Sequence, residues 1–162
     1  MGMKIGNNIL KIVILIVLYF FLVSLALVTI TIPIGTIYSL IKSTIKMTGV
    51  FYMLVQFVYY LNYLLVVKML IGIIKSTWET PFIIKNVKRF KVMACCLTVN
   101  VIFECIIGYG ANKYSNIQLF SNGKGAISPM MAIGIIAALM CFVMAEVFKK
   151  AVEIKNDNDL TI

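Results

Sequence analysis

The sequence predicts an all-α fold, an integral membrane four-helix bundle with both termini cytoplasmic. Of the 162 residues, 62% are hydrophobic and 13% are charged, whereas soluble domains are roughly 45–50% apolar and about 25% charged. A soluble fold of this length could not bury so much apolar surface. The second observation is that the apolar residues form four long runs with almost no charges. Lipid is therefore the expected solvent of most of the chain.

The four runs predict transmembrane helices within a single membrane domain, because a membrane helix needs about 20 apolar residues. The expected spans are 12–33, 47–67, 92–112 and 125–146, with a cytoplasmic loop at 68–91 and a cytoplasmic tail at 147–162 that is frayed at its end. The first run continues to Ile41, and Pro33 with Gly35 predicts where its helix ends. It is too long for the apolar core of a cleaved signal peptide. No strand-like alternation of polarity appears, which argues against a β-barrel.

The distribution of cations predicts the orientation of the bundle. Four spans place both termini and the middle loop on one side, which holds eleven of the 15 cations: Lys4, Lys11, Lys68, Lys75, Lys85, Lys88, Arg89, Lys91, Lys149, Lys150 and Lys155. The opposite side holds Lys42, Lys46, Lys113 and Lys124. The positive-inside rule therefore predicts a multi-pass protein of the cell membrane whose termini are cytoplasmic. The net charge of +9 is attributed to contact with the lipid bilayer rather than to direct nucleic-acid binding.

The middle loop leaves two interpretations open. Phe82, Ile83, Val87 and Phe90 share one helical face, with basic residues beyond it. This spacing is typical of a basic amphipathic helix lying on the inner leaflet. A plain loop enriched in positive charge explains the same residues equally well.

Two short segments resemble the YoaS-like bacterial integral membrane proteins, a domain family of unknown function with four predicted spans. One segment runs from Thr80 to Arg89 and the other from Ala145 to Ile162. The residues that match the family pattern are Pro81, Phe82, Asn86, Arg89, Glu146, Asp159 and Leu160. Members are often encoded beside a small helix-turn-helix regulator, so the resemblance implies such a regulator as a cytoplasmic partner. It implies no enzymatic residues.

The residue types argue against an enzyme. Histidine is absent, which removes the commonest general base and a common metal ligand. No glycine-rich phosphate loop appears, and the four cysteines are expected to serve as small packing residues. We expect no catalytic residues, no bound metal and no cofactor.

The third span carries the main candidate for an intramembrane site. Counting along the span puts Glu104 near the membrane centre, with Asn100 one turn earlier on the same face. Gln56 and Tyr59 of the second span match these two residues in depth if the helices are antiparallel. A buried acid predicts a proton, ion or small-molecule site. Hydrogen bonds that hold the bundle together explain the same residues without a ligand.

The fourth span contains small residues four positions apart, at Gly134 and Ala138 and again at Cys141 and Ala145. Such spacing favours close helix packing, either within the chain or in a homodimer.

The leading functional hypothesis is a non-enzymatic sensor or anchor that acts on a cytoplasmic transcriptional regulator. The residues expected to form its partner surface are Pro81, Phe82, Asn86, Arg89, Asp159 and Leu160. The alternative is a small proton-coupled or cation/drug transporter that uses Glu104.

Overall fold

A computed structural model gives the architecture and describes residues 2–42, 47–78, 80–111, 120–121 and 126–159, with side chains over 8–42, 47–78, 80–105 and 128–158. The described chain contains four long helices, α1 (Gly2–Ile41), α2 (Met47–Ser76), α3 (Ile84–Ala111) and α4 (Pro129–Asp159). A two-residue antiparallel ladder between β1 (Phe120–Ser121) and β2 (Ala126–Ile127) precedes α4. The predicted all-α fold of four helices is confirmed.

Helix α1 continues through Pro33 to Ile41, so the helix end expected near Pro33 and Gly35 is wrong. Proline removes one backbone donor, and a membrane helix tolerates that loss when nearby hydroxyl groups satisfy backbone carbonyls. The Thr29 hydroxyl donates to the Leu25 carbonyl at 2.7 Å, and the Thr36 hydroxyl donates to the Ile32 carbonyl at 2.8 Å. Both hydroxyl bonds lie within helical turns that flank Pro33, and neither reaches the Thr29 carbonyl, which is the acceptor that Pro33 leaves without its helical donor.

The other helices also extend beyond the uncharged runs. Much of the segment expected as a loop at 68–91 is helical, because α2 ends at Ser76 and α3 begins at Ile84. The segment expected as a cytoplasmic tail continues as part of α4 to Asp159, and the end of the tail lies outside the described residues. Charged residues mark where a helix leaves the hydrocarbon, but they do not interrupt its backbone hydrogen bonds. The basic segment is thus the start of α3 rather than a separate helix on the lipid surface.

The helices pack on one another in chain order, α1 on α2, α2 on α3, and α3 on α4. We call the end of the bundle at which α1 starts, α2 ends and α3 starts the basic end. Its core joins Ile73 of α2, Val87, Phe90 and Met93 of α3, and Ala145 of α4. The largest buried apolar cluster among the described side chains therefore lies at the basic end.

Three helices are long and apolar enough to cross a membrane within the described part of the chain: 8–41, 47–76 and 129–158. Helix α3 carries a similar run in the sequence from Val92 onward, interrupted by Glu104. The chain is a membrane protein.

Candidate functional site

The turn between α2 and α3, residues 72–90, is held together by a buried asparagine, and we call it the α2–α3 junction. The Asn86 side chain is 0% exposed. Its amide nitrogen donates to the Ser76 hydroxyl at 2.6 Å and to the Pro81 carbonyl at 2.8 Å. Ser76 in turn donates to the Ile73 carbonyl in the last turn of α2. A single side chain thus fixes the end of α2 against the segment that leads into α3.

Arg89 extends this network across α2. One guanidinium amino group, Nη1, donates to the Asn86 Oδ1 atom at 2.8 Å and to the Gly72 carbonyl at 2.6 Å. A Cβ atom at Gly72 would lie 2.8 Å from Cζ of Arg89, closer than two carbon atoms approach without repulsion. Gly72 is therefore required for the guanidinium to lie against the backbone of α2.

An aromatic group connects the α2–α3 junction to α4. The Phe148 ring lies 5.8 Å from the Phe82 ring and 5.1 Å from the Phe90 ring, measured between centroids. Phe90 is buried in the core of the basic end, whereas Phe82 is exposed. Any movement of the last turns of α4 must therefore be accommodated by the α2–α3 junction.

Cations of the basic end have further contacts within the chain. The Lys11 ammonium donates to the Thr77 carbonyl at 3.1 Å, which satisfies a backbone acceptor just beyond the end of α2. Lys91 lies 3.8 Å from the Glu146 carboxylate, and both side chains are largely exposed. An exposed ion pair of this kind contributes little stability.

The expected partner surface is only partly available on this structure. Pro81, Phe82, Asn86 and Arg89 do lie together at the α2–α3 junction. Asn86 is buried, however, and the Nη1 group of Arg89 already donates to Gly72 and to Asn86. Asp159 is the last residue of α4, and its side chain and Leu160 lie outside the described residues. Phe82 is the exposed member of this set.

Inside the apolar region, a pair of asparagines joins α2 to α3. The Asn62 amide nitrogen donates to the Asn100 Oδ1 atom at 2.9 Å, and the Asn100 amide nitrogen donates to the Tyr59 carbonyl at 3.4 Å. Asn100 is 2% exposed. The structure therefore brings Tyr59 and Asn100 together. Asn62 was missed in the sequence interpretation, although it lies three residues after Tyr59 and so shares its face.

Glu104 lies beside the start of α4. The Ser128 hydroxyl donates to the Glu104 carboxylate at 3.1 Å and accepts a hydrogen bond from the Met131 backbone N–H at 3.1 Å. Ser128 is thus the N-cap of α4, a role that serine immediately before Pro129 indicates in the sequence. Glu104 consequently lies level with the first turn of α4, nearer one end of that helix than the central depth that counting predicted. A carboxylate at a helix N-terminus is electrostatically favourable.

Gln56 does not join this group. The register of the Asn62–Asn100 pair puts Gln56 near the depth of Glu104, but the Gln56 side chain is exposed. The predicted four-residue site is therefore split into the Tyr59–Asn100 contact, the Glu104–Ser128 contact and an exposed Gln56.

The small residues of α4 are covered by α3. Ala138 is 4% exposed and Ala145 is 0% exposed, and a Cβ atom at Gly134 would lie 2.7 Å from a Val101 methyl group. Of the two uses left open by the sequence, the structure shows packing within the chain. A homodimer through α4 stays a prediction and would need another face of this helix.

No group of three or more histidine, cysteine or acidic residues suited to a metal ion occurs in the part of the chain that the structure describes. The model of a family described as a protein of unknown function, DUF2975, matches residues 7–162. Neither the curated proteins nor the solved structures contain a match to the chain.

Proposed function

We propose that this chain, which belongs to the DUF2975 family of proteins of unknown function, is a non-enzymatic protein of the cell membrane that acts on a cytoplasmic regulator. In this proposal the basic end faces the cytoplasm. The positive-inside distribution of the 15 cations supports that orientation. The absence of histidine from the sequence supports a role other than catalysis.

The observation that carries the proposal is the continuation of α4 beyond Glu146. Residues 147–159, which we call the α4 arm, are helical and extend about 20 Å at 1.5 Å per residue. Val147 and Ile154 of the α4 arm are exposed, as is Phe82 nearby in the α2–α3 junction. In this proposal these exposed apolar side chains are the anchors that the regulator contacts.

The contacts of Phe148 give this surface a connection to the spans. Phe148 packs on both Phe82 and Phe90, and Phe90 belongs to the core that joins α2, α3 and α4. A change in helix packing within the membrane would therefore alter the position of the α4 arm. A regulator bound to the arm would be released or retained accordingly, which is the coupling that a sensor requires.

Orientation is tested by labelling single cysteines in a cysteine-free background. Lys88 is a suitable probe of the basic end, because its side chain is exposed near the start of α3. We expect Lys88→Cys to react only from the cytoplasmic side and Lys42→Cys, exposed at the other end of α1, only from outside. The reverse pattern, or labelling of both from one side, would contradict the proposed topology.

Partner binding is tested by crosslinking in intact membranes followed by mass spectrometry. Ile154→Asn removes an exposed apolar side chain from the α4 arm, and Ile41→Asn makes the same change at the far end of α1. We expect Ile154→Asn, and deletion of residues 156–162, to abolish recovery of a DNA-binding regulator while the protein still accumulates. Equal recovery from all variants would refute the proposal.

A proton-coupled or cation/drug transporter is the second candidate, and the half-buried Glu104 carboxylate favours it. The hydrogen bond to the N-cap residue Ser128 gives Glu104 a structural use that does not require transport. The transporter hypothesis predicts that Glu104→Gln abolishes gradient-driven uptake in proteoliposomes while the protein still folds.

A further inference from the structure

Arg89 is a fixed cation that has no carboxylate partner among the described residues. The ion pairs found there are Lys91 with Glu146 and Lys149 with Glu153. Only the Nη1 group of Arg89 donates to described atoms, and it donates to the neutral acceptors Gly72 and Asn86. Neutral acceptors orient a guanidinium but do not balance its charge.

The remaining donors of Arg89 reach the surface of the described structure. A guanidinium carries five N–H groups, and those on Nε and Nη2 have no hydrogen-bond acceptor among the described atoms. No buried side-chain nitrogen or oxygen in the described part is left without a partner, so these two nitrogens are not sealed inside the protein. Arg89 therefore presents a planar fork of donors whose orientation is set by the α2 backbone.

Three exposed lysines flank the contact between Arg89 and Gly72. Lys68 and Lys75 lie four residues before and three residues after Gly72, so they share its face of α2. Lys85 lies four residues before Arg89, on the same face of α3. The Lys75 ammonium lies 5.5 Å from the centroid of the Tyr19 ring in α1. The cations thus lie along the part of α2 that is placed between its contacts with α1 and α3, and we call this strip of α2 the groove.

The ends of the apolar spans predict that this groove lies at the level of the lipid phosphates. It opens at the basic end, where the apolar spans of α1 and α2 terminate. Trp78 in the following turn is 49% exposed, and tryptophan is enriched at the boundary between hydrocarbon and headgroups. Apolar side chains of α1 such as Ile12 and Ile16 are exposed just beyond the charges. The acyl chains of a bound lipid would cover these exposed apolar side chains, whereas a free anion would not contact them.

We propose that the groove between α1 and α3 binds one anionic phospholipid, whose phosphate accepts hydrogen bonds from Nε and Nη2 of Arg89. Lys68, Lys75 and Lys85 add electrostatic attraction. Arginine suits this role because its fork matches two oxygens of one phosphate. Basic pockets between transmembrane helices are known to hold anionic headgroups.

The test measures retention of phosphatidylglycerol by the full-length chain, purified in detergent and titrated with lipid in native mass spectrometry. The double variant Lys75→Gln/Lys85→Gln removes two groove cations, and Lys149→Gln/Lys150→Gln removes two cations of α4 as the matched control. We expect the groove variant to weaken binding about 30-fold, at roughly fivefold per lysine. The α4 variant should change it less than twofold, and phosphatidylcholine should not be retained. Equal losses in both double variants would overturn the proposal.

Two further arms address the orienting arginine and the source of phosphate. Arg89→Lys keeps the charge but not the fork, so retention should fall by at least the loss in the groove variant. If that variant fails to fold, the lysine variants decide alone. Inorganic phosphate should neither displace the lipid nor stabilise the protein, and displacement at millimolar concentration would show a free-anion site instead.

Discussion

The α2–α3 junction buries Asn86 completely and packs three helices around Phe90, whereas α1 leaves most of its apolar side chains exposed along its length. In the most apolar windows of α1 and α2, 11% of the residues are buried within the protein, and in α4 the share is 17%. The spans need no protein partner for their apolar surface because lipid solvates it. The charges at the basic end predict that the helices leave the hydrocarbon there, and packing and hydrogen bonds would then replace lipid. The two regions should therefore respond very differently to substitution.

The largest effect is expected from Asn86→Ala. The change removes two donated hydrogen bonds and the acceptor of Arg89, and it leaves polar atoms unsatisfied in a buried position. We expect the free energy of unfolding, measured by denaturant titration in mixed micelles, to fall by about 2–4 kcal/mol. Lys88→Ala, an exposed neighbour, should stay within about 0.5 kcal/mol of the parent. Similar values for both variants would contradict a structural role of the junction.

The next effect compares two glycines in helices. Gly72→Ala places a methyl group against the Arg89 guanidinium, so the arginine must shift and lose its short hydrogen bonds. We expect a loss of about 1–3 kcal/mol. A Cβ atom at Gly35 meets nothing within 4 Å, and Gly35→Ala should be neutral or stabilise the protein by up to about 1 kcal/mol. If neither variant lowers the free energy of unfolding, the Arg89 side chain can move away from Gly72 without loss of stability.

A smaller effect is expected from the asparagine pair in the apolar region. A double-mutant cycle of Asn62→Ala and Asn100→Ala isolates the contact between their side chains. We expect a coupling energy of about 0.6 kcal/mol, the average for hydrogen bonds between membrane helices. The same cycle with Asn62 and Asn86, which lie far apart along α2 and α3, should give no coupling. A coupling above about 2 kcal/mol would mean that the spans depend on polar contacts as strongly as the basic end does.

The smallest effect is expected from Glu104→Gln. The amide oxygen of glutamine still accepts a hydrogen bond from the Ser128 hydroxyl, so unfolding should be unchanged within about 0.5 kcal/mol. Ser128→Ala removes the N-cap of α4 and should cost about 1 kcal/mol. A stable Glu104→Gln protein with an unchanged phenotype removes the transporter hypothesis. Loss of gradient-driven uptake with folding intact would support it.

Sequence reasoning succeeded for the number and type of the main elements, because a long uncharged segment in lipid is stable as a helix. Long uncharged runs predicted four helices, and the structure contains four. It failed at helix ends, because Lys68 and Lys91 mark the expected boundary of the hydrocarbon, while α2 and α3 continue to Ser76 and from Ile84. The sequence analysis placed the motif residue Asn86 on a partner surface, whereas the structure shows its side chain buried. It looked like a contact for a partner, and it is a contact within the chain.

The intramembrane residues show why the remainder depended on the tertiary structure. Antiparallel counting matched Tyr59 with Asn100 and Gln56 with Glu104 in depth, since depth follows from residue number and helical rise alone. It could not determine which way each side chain faces, because helices that are apolar on all sides carry no amphipathic signal of their rotation. Rotation is decided by which polar groups find partners and which small residues admit a neighbour. Here the rotation of the helices is fixed by the hydrogen bonds of Asn62 and Ser128 and by the close approach of Val101 at Gly134.

The sequence alone determined that the chain is a four-helix membrane protein, because the cost of placing unpaired polar groups in hydrocarbon leaves few alternatives. Only the tertiary structure decided that Arg89 lies on Gly72, that Asn86 is buried and that α4 extends beyond the spans as a helix. The contacts of Arg89 with Gly72 and of Asn86 with Ser76 join two different helices, so their geometry exists only once α2 and α3 have packed. Composition indicates whether lipid or water solvates a segment, whereas the residues that the segment contacts are known only from the packed structure.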